Sequence, residues 1–463
     1  MLFMEDLNKK PLSLKQYLVV SSLLFALFFG AGNLIFPLHL GQLSGANWWL
    51  AMLGFFCTAV VLPLLSVLAI SVTHSKGVYD IGKPLGGAFA LVFMVLIHAT
   101  IGPLFGTPRT ATVPFSVGVQ PLLPAKYGHL GLLVFSFLFF LTAFLLSYKE
   151  SSIMKSIGKL LNPIFLLLLF AVFLLGFLHP MGSAATQAAT TAYQNGSFFN
   201  GFLQGYNTMD ALAGLAFGVT VVTAVNQLGK NNPLSNAKVT AKAGLIAEGL
   251  VATIYVVLVW LGATTLNKFK GSADGGTAFN QLMGYYMGNV GHALLATLLT
   301  LTCLTTAMGL VAAFAQDFHK HFSFLSYRQW LGFMCLTSFM TANFGLDTII
   351  QWSTPMLMFL YPFAMVLILL SVFSPLFKHD SIVYLFVVLF TTVPALMDMI
   401  SSFPPVVSKS AFGNTVTNFQ QSYLPLASIG MDWVVPAVVG LFIGLLAHCF
   451  KCMKNNVTQE VKE

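Results

Sequence analysis

The sequence predicts an all-α membrane protein of twelve transmembrane helices, laid out as two opposed five-helix units followed by two further helices. Three observations carry that prediction. Of the 463 residues, 57% are hydrophobic and only 8% are charged, where soluble domains carry about 25% charged residues. Apolar runs of membrane-spanning length recur along the whole chain. The basic residues gather on alternate connections between those runs.

A soluble surface cannot be built from so few charges, so most of the chain belongs in lipid. The net charge of +8 does not point to nucleic acid, because the basic residues are scattered through short loops. Crossing the hydrocarbon takes about 20 mostly apolar residues. Runs of that kind lie near 15–38, 48–72, 88–118, 130–148, 160–179, 205–226, 242–263, 290–316, 328–345, 350–372, 381–400 and 432–450. In lipid every backbone polar group needs an internal partner, so these runs are helices. They do not alternate as barrel strands do. The first run follows Lys9, Lys10 and Lys15 and continues past Gly30-Ala31-Gly32-Asn33 with no small-residue cleavage site, which reads as a retained helix rather than a leader.

The positive-inside rule sets the direction. With the N-terminus in the cytoplasm, the inner segments hold Lys9, Lys10, Lys15, Lys76, Lys83, Lys149, Lys155, Lys159, Lys230, Lys238, Lys242, Lys320, Arg328, Lys378, Lys451, Lys454 and Lys462, 17 of the 22 basic residues. The outer segments hold Lys126, Lys268, Lys270 and Lys409, and Arg109 alone falls inside a span. Both termini are therefore expected in the cytoplasm, with the protein multi-pass in the cell membrane.

Two runs are interrupted. The first reads Phe28-Phe29-Gly30-Ala31-Gly32-Asn33-Leu34-Ile35-Phe36-Pro37, and the sixth reads Gly205 to Gly218 with Asn207, Asp210 and Gly214 inside it. Glycine eases departure from helical geometry, and asparagine bonds the backbone groups so released. Helices one to five, about 15–179, and six to ten, about 205–372, start on opposite sides of the membrane, and each unit opens with its interrupted helix. Helices eleven and twelve follow at about 381–450. Paired interruptions mark the binding site of a transporter. Half-helix N-termini favour an anion there, and bare carbonyls suit a small cation. Single glycine motifs such as Gly214-x-x-x-Gly218 and Gly440-x-x-x-Gly444 fit close helix packing equally well.

A charge within the bilayer costs at least about 2.5–3.5 kcal/mol and calls for a partner or a role. Arg109 follows Gly106-Thr107-Pro108, which predicts a bend in helix three, and either Asp210 or Glu248 would serve as its partner. Asp210 has two readings, a direct role with a bound amine or cation and a structural ion pair. Glu248 fits a structural or gating role, Asp398 a solvated position near an outer helix end, and His98 a packed core position rather than a proton relay. Of the five cysteines, Cys57, Cys303 and Cys335 lie in apolar runs, while Cys449 and Cys452 flank a cytoplasmic helix end. They read as small apolar fillers, since no pair has metal-site or disulfide spacing. No H-E-x-x-H or Gly-x-Ser-x-Gly pattern suggests an enzyme, and no repeated pore loop suggests a channel.

FFGAGNLIFP in the first helix, GPLFGTPRTATVPFS at 102–116, GYNTMDALAGLAFG in the sixth helix and CLTTAMGL at 303–310 together resemble the branched-chain amino acid–cation symporter family of the BrnQ type, within the amino acid–polyamine–organocation superfamily. The resemblance extends over nearly the whole chain. It implies uptake of L-leucine, L-isoleucine and L-valine coupled to sodium, with Na+ as coupling ion and no prosthetic group. It implies that amides around Gly30, Ala31, Gly32 and Asn33 hold the substrate carboxylate. Carbonyls of Ala26 and Phe29 with hydroxyls of Thr305 and Thr306 would coordinate sodium. Tyr206, Asp210, Ala213 and Gly214 would line the pocket, and Phe29 and Phe217 would set its volume. A proton-coupled permease for other neutral amino acids is the alternative that Asp210, Glu248 and His98 leave open.

Overall fold

The computed structural model describes residues 13–30, 32–148, 161–228 and 233–460. Ala31 and the basic residues Lys9, Lys10, Lys149, Lys155, Lys159, Lys230 and Lys462 lie outside them. Every regular element among the described residues is helical. In chain order they are α1 Leu14–Phe28, α2 Gly32–Ser44, α3 Trp48–Phe56, α4 Leu62–Val72, α5 Val78–Gly82, α6 Gly87–Ala99, α7 Gly106–Pro114, α8 Gly128–Ser147, α9 Leu161–Leu178, α10 Thr191–Asn195, α11 Ser197–Gly205, α12 Asp210–Gln227, α13 Pro233–Thr265, α14 Gly275–His321, α15 Tyr327–Ala342, α16 Leu346–Phe373, α17 Ser381–Ser402, α18 Pro405–Ser408, α19 Ala411–Tyr423 and α20 Val434–Glu460. Eight helical rods among the described residues are long and apolar enough to cross a membrane, and Leu14–Phe28 and Leu169–Leu178 are shorter apolar helices. One of the eight, Gly32–Val72, turns back at Gly45, whose φ of 50° a side chain would strain.

The first expected run, 15–38, is two helices, α1 and α2, and the run near 205–226 is two, α11 and α12. The expected helix at 290–316 is longer than its apolar run. α14 begins at Gly275, after the N-cap Asp274 whose side chain accepts from Thr277 N, and bends at Gly288 (φ 58°, ψ −155°) before entering the apolar stretch. The stretch 403–430, between the last two expected runs, carries α18 and α19. α6 and α7 are separated by the non-helical backbone of Gly102 (φ −91°, ψ −124°) and Phe105, the bend expected in helix three.

Lipid is as apolar as leucine, so helices in a bilayer associate by close fit rather than by hydrophobic gain. Glycines supply that fit in reciprocal pairs. A Cβ on Gly41 of α2 falls 2.0 Å from Val259 O of α13, and one on Gly262 of α13 falls 2.0 Å from Leu38 O of α2. Likewise Gly54 of α3 meets Phe198 O of α11 at 1.8 Å, and Gly201 of α11 meets Ala51 O of α3 at 2.0 Å. Gly205 presses on Thr58, Gly214 on Ser66 and Gly218 on Ile70, so the whole interrupted rod α11–α12 rides on the rod α3–α4. Gly440 and Gly444 seat α20 on α17 in the same way.

Two titratable groups sit differently from expectation. Asp398 is buried rather than solvated: Gln420 Nε2 donates to its Oδ1 at 2.6 Å and to Asp432 Oδ2 at 3.0 Å, because α19 folds back over the end of α17. His98 of α6 is buried, as a packed histidine should be, but its Nε2 lies 2.8 Å from Asp317 Oδ2 of α14, and Phe314 and Phe318 meet its ring edge-on. Asp317 also meets the connection before α5, where a Cβ on Gly77 would fall 3.2 Å from its Oδ2.

The glycine contacts make a stability prediction. Gly201→Val is expected to lower the unfolding temperature in detergent sharply, by a cost of about 1–3 kcal/mol or more from overpacking. Gly332→Ala, whose Cβ would meet only Phe144 at 3.7 Å, is expected to leave it unchanged or slightly raised. Equal unfolding temperatures for the two variants would contradict the packing account.

Candidate functional site

The chain leaves the helix at the end of α1. Phe29 is extended (φ −75°, ψ 100°) and Gly30 is a bend before α2 resumes at Gly32. The Gly30 N–H donates to Asn33 Oδ1 at 2.8 Å, a local side-chain cap at the interruption. The amide nitrogen of the same side chain reaches across the bundle. Asn33 Nδ2 donates to Asp210 Oδ2 at 2.6 Å and to Tyr255 Oη at 2.5 Å, and the Tyr255 hydroxyl donates to Asp210 Oδ2 at 3.3 Å.

The second interruption occupies Tyr206–Met209. A turn of 3₁₀ helix ends at Met209, which takes the left-handed conformation (φ 61°, ψ 10°) with no glycine present. Asp210 then opens α12, where the positive end of the helix favours its carboxylate. The glycines of this stretch pack rather than unwind. Gly214 sits in regular helix against Ser66 and Phe28, so it does not line the chamber.

The two interruptions face one chamber of about 50 Å³. Its polar wall is Gly30, Gly32, Asn33, Gly106, Arg109, Thr110, Asn207, Thr208, Asp210 and Thr306; its apolar wall is Leu27, Phe28, Ile101, Met209, Ala213, Phe217 and Leu310. A cavity that admits a six-carbon ring measures about 150 Å³, so an aliphatic amino acid enters this chamber only if its walls part. Of the residues expected at the site, Gly30, Gly32, Asn33, Arg109, Asp210, Ala213, Phe217 and Thr306 are brought together here. Phe29 is buried beside them but stacks on Phe25 at 4.8 Å, off the chamber wall. Tyr206 stacks on Tyr361 at 4.1 Å and lines an outer cavity instead. Ala26 packs on Met308 and Ala312 of α14, which brings α1 against the helix that carries Thr305 and Thr306. Thr306 touches Gly30: a Cβ there would fall 3.2 Å from Thr306 Oγ1. Thr305 Oγ1 donates to Thr302 O at 2.7 Å, and Thr306 Oγ1 makes a longer bond of 3.4 Å to the same carbonyl. Tyr255, Thr110, Ile101, Met209 and Leu310 were not legible as site residues, since each is an ordinary residue of an apolar or mixed helical run.

Arg109 bonds neither Asp210 nor Glu248. Its Nη1 donates to Asn207 O at 2.8 Å, its Nη2 donates to Ser353 Oγ, and its guanidinium lies 5.3 Å from the Phe36 ring centroid. The unwound backbone thus supplies a carbonyl where an acid was expected, and one cation ties α7, the second interruption and α16 together. Asp210 in turn takes hydrogen bonds from Asn33 and Tyr255 and makes no ion pair among the described residues. Glu248 of α13 is buried, and neither carboxylate oxygen has a hydrogen-bond partner among the described residues. Beyond Arg109 lie two larger cavities of about 480 and 540 Å³, and Asp274 and Asp347 line both.

Interrupted helices that meet around a buried chamber, polar on one wall and apolar on the other, define a membrane transporter rather than an enzyme. The comparisons with known proteins agree. The profile of the family described as "Branched-chain amino acid transport protein" matches residues 13–451. The chain is 39% identical over 433 residues to the branched-chain amino acid permease BrnQ of Lactobacillus delbrueckii subsp. lactis, covering 93% of this chain and 96% of that one. It is 38% identical over 445 residues to the branched-chain amino acid permease BraB of Bacillus subtilis (strain 168), covering 96% and 97%. Its fold matches that of MhsT in complex with L-phenylalanine (TM-score 0.55, 14% identity, 94% of this chain and 98% of that one). It also matches Mhp1, a nucleobase-cation-symport-1 family transporter (TM-score 0.62, 12% identity, 94% and 92%). The chain belongs to the branched-chain amino acid transport protein family.

Removing the shared side chain tests this geometry. Asn33→Ala strands the Gly30 N–H and takes the strongest donor from Asp210. Unfolding in detergent is expected to become easier by about 1–3 kcal/mol, with transport lost. An unfolding temperature equal to the parent's would show that Asn33 does not hold the two interruptions together.

Proposed function

We propose that the protein is a secondary active symporter that imports L-leucine, L-isoleucine and L-valine with Na+ by alternating access. In this reading twelve helices span the cell membrane with both termini in the cytoplasm. Repeat one covers about 15–179 and repeat two about 205–372, in opposed orientation, with helices eleven and twelve at about 381–450 outside the repeat. The observation that carries the reading is the meeting of two half-helix starts, α2 and α12, with Thr306 around one two-faced chamber.

Each wall has a part in this scheme. Amides of the Gly30–Asn33 turn hold the substrate carboxylate at the positive start of α2. The Asp210 carboxylate takes the ammonium group, already aligned by Asn33 and Tyr255. Leu27, Ile101, Phe217 and Leu310 receive the branched side chain. A methylene in such a pocket is worth only about 1–3 kcal/mol, so the three branched-chain substrates compete closely. Sodium, a hard cation, takes oxygens from Ala26, Phe29, Thr305 and Thr306. Thr306 is the member of this set that faces the chamber, and its present bond to Thr302 O is long at 3.4 Å, so its hydroxyl has the least to lose in turning to an ion.

A second reading draws on Glu248. A buried carboxyl without a hydrogen-bond partner is stable inside a membrane only as the neutral acid or beside a cation. It favours a proton-coupled permease for other neutral amino acids.

Radiolabelled leucine uptake into proteoliposomes separates the two. A sodium gradient without a proton gradient is expected to drive saturable uptake that isoleucine and valine compete for. Uptake driven by a proton gradient alone, indifferent to sodium, would replace the first reading with the second. Thr306→Ala is expected to raise the sodium concentration for half-maximal uptake about tenfold, a loss of about 1.4 kcal/mol. An unchanged sodium response would remove Thr306 from the ion's shell.

A further inference from the structure

The C-x-x-C at the end of α20 reads as inert in the sequence. In the fold, one of its cysteines stands at the end of a relay. Cys452 Sγ lies 3.7 Å from His448 Nε2, and His448 Nδ1 lies 2.8 Å from Asp380 Oδ2. Cys452 and His448 are one helical turn apart on α20, while Asp380 comes from the neighbouring helix, where it caps α17 by accepting from Ile382 N at 3.2 Å. Lys451 Nζ donates to both Asp380 oxygens at 3.0 and 3.1 Å and holds the carboxylate in place.

This order of groups has a chemical consequence. An acid bonded to Nδ1 fixes the proton of a neutral imidazole on that nitrogen and leaves the Nε2 lone pair pointing at the thiol. A nucleophile, a base in hydrogen-bond reach and a third group that orients the base form the general pattern of an activated nucleophile. The His448 hydrogen bond, then Lys451, hold the Asp380 carboxyl down at about 2 against the effect of its burial, so it is an anion at neutral pH. Cys449, one turn earlier on the same helix, is more exposed and has no such base among the described residues.

We propose that Cys452 is an activated thiol and a modification site for soft electrophiles, hydroperoxides above all. In that reaction the Sγ–H proton passes to His448 Nε2 and the sulfur attacks one peroxide oxygen. The S–O bond forms as the O–O bond breaks. The departing oxygen takes the proton back from His448 and leaves as water or an alcohol. The thiol becomes a sulfenic acid, and the peroxide is reduced by two electrons. Asp380 does not react; it is a positioning residue that sets the tautomer of His448. The site joins α17 to α20, away from the transport chamber, so the proposal stands independently of the cargo and the coupling ion.

The test uses the full-length protein in detergent and reads each cysteine by peptide mass spectrometry. N-ethylmaleimide at neutral pH is expected to label Cys452 at least tenfold faster than the more exposed Cys449 in the unmutated chain. Hydrogen peroxide followed by dimedone is expected to mark Cys452 and spare Cys449. His448→Gln is expected to bring Cys452 down to the Cys449 rate while leaving transport intact, and Asp380→Asn to slow it by a smaller factor. If Cys452 reacts no faster than Cys449 in the unmutated chain, or if a folded His448→Gln protein keeps the full rate, the proposal is wrong.

Discussion

Opening a helix inside a bilayer releases peptide groups that lipid cannot solvate, and each one left bare costs several kcal/mol. The whole site rests on how this chain answers that cost. One side chain, Asn33, accepts from the Gly30 N–H at the first interruption and donates to Asp210 at the start of the second. Tyr255 closes the triangle from α13. Arg109 does the same for the second interruption from the other side, taking the Asn207 carbonyl. Neither break is tolerable alone. Each is stabilised by groups that the other break or a neighbouring helix presents.

Around these two openings the rest of the bundle is rigid for a different reason. Backbone-to-backbone glycine contacts pin α2 to α13 and α11 to α3, so the half-helices that frame the chamber are fixed to unbroken rods. Packed interfaces of this kind move as bodies rather than deform. In the proposed transport cycle, a chamber too tight for its cargo would open by shifting rods against one another. The two ends of the bundle are unequal in this conformation. At one end the His98–Asp317 pair, with the Phe314–Phe318 stack beside it, ties α6 to α14. The other end holds the two large cavities with Asp274 and Asp347 in their walls.

Much of this was legible in the sequence, and the misses have physical causes. Apolar runs announce helices because lipid imposes internal hydrogen bonding on every residue of the span. The first interruption announced itself through Gly30, Gly32 and Asn33, since glycine and asparagine have few other reasons to sit together in mid-span. The second was found in the right stretch but through the wrong residue. Gly214 packs on Ser66 and the unwinding falls at Tyr206–Met209, where Met209 takes a left-handed backbone that no local propensity signals. Arg109 was expected to need an acid, yet unwound backbone offers a carbonyl that serves. Asp398 near a helix end looked solvated, but α19 folds over it and brings Gln420.

The sequence by itself determined that the chain lies in the membrane as a helical bundle with two interrupted helices, and its motifs pointed to the family. Those features follow from hydrophobicity, charge placement and glycine, which act through neighbours along the chain. Only the tertiary structure decided which groups meet. That Asn33 joins Asp210 and Tyr255, that Arg109 holds a carbonyl, that Thr306 rather than Thr305 faces the chamber, and that a thiol lines up with His448 and Asp380 are contacts between residues far apart in sequence or set by side-chain direction. They depend on which rod packs on which face, and no local pattern encodes that.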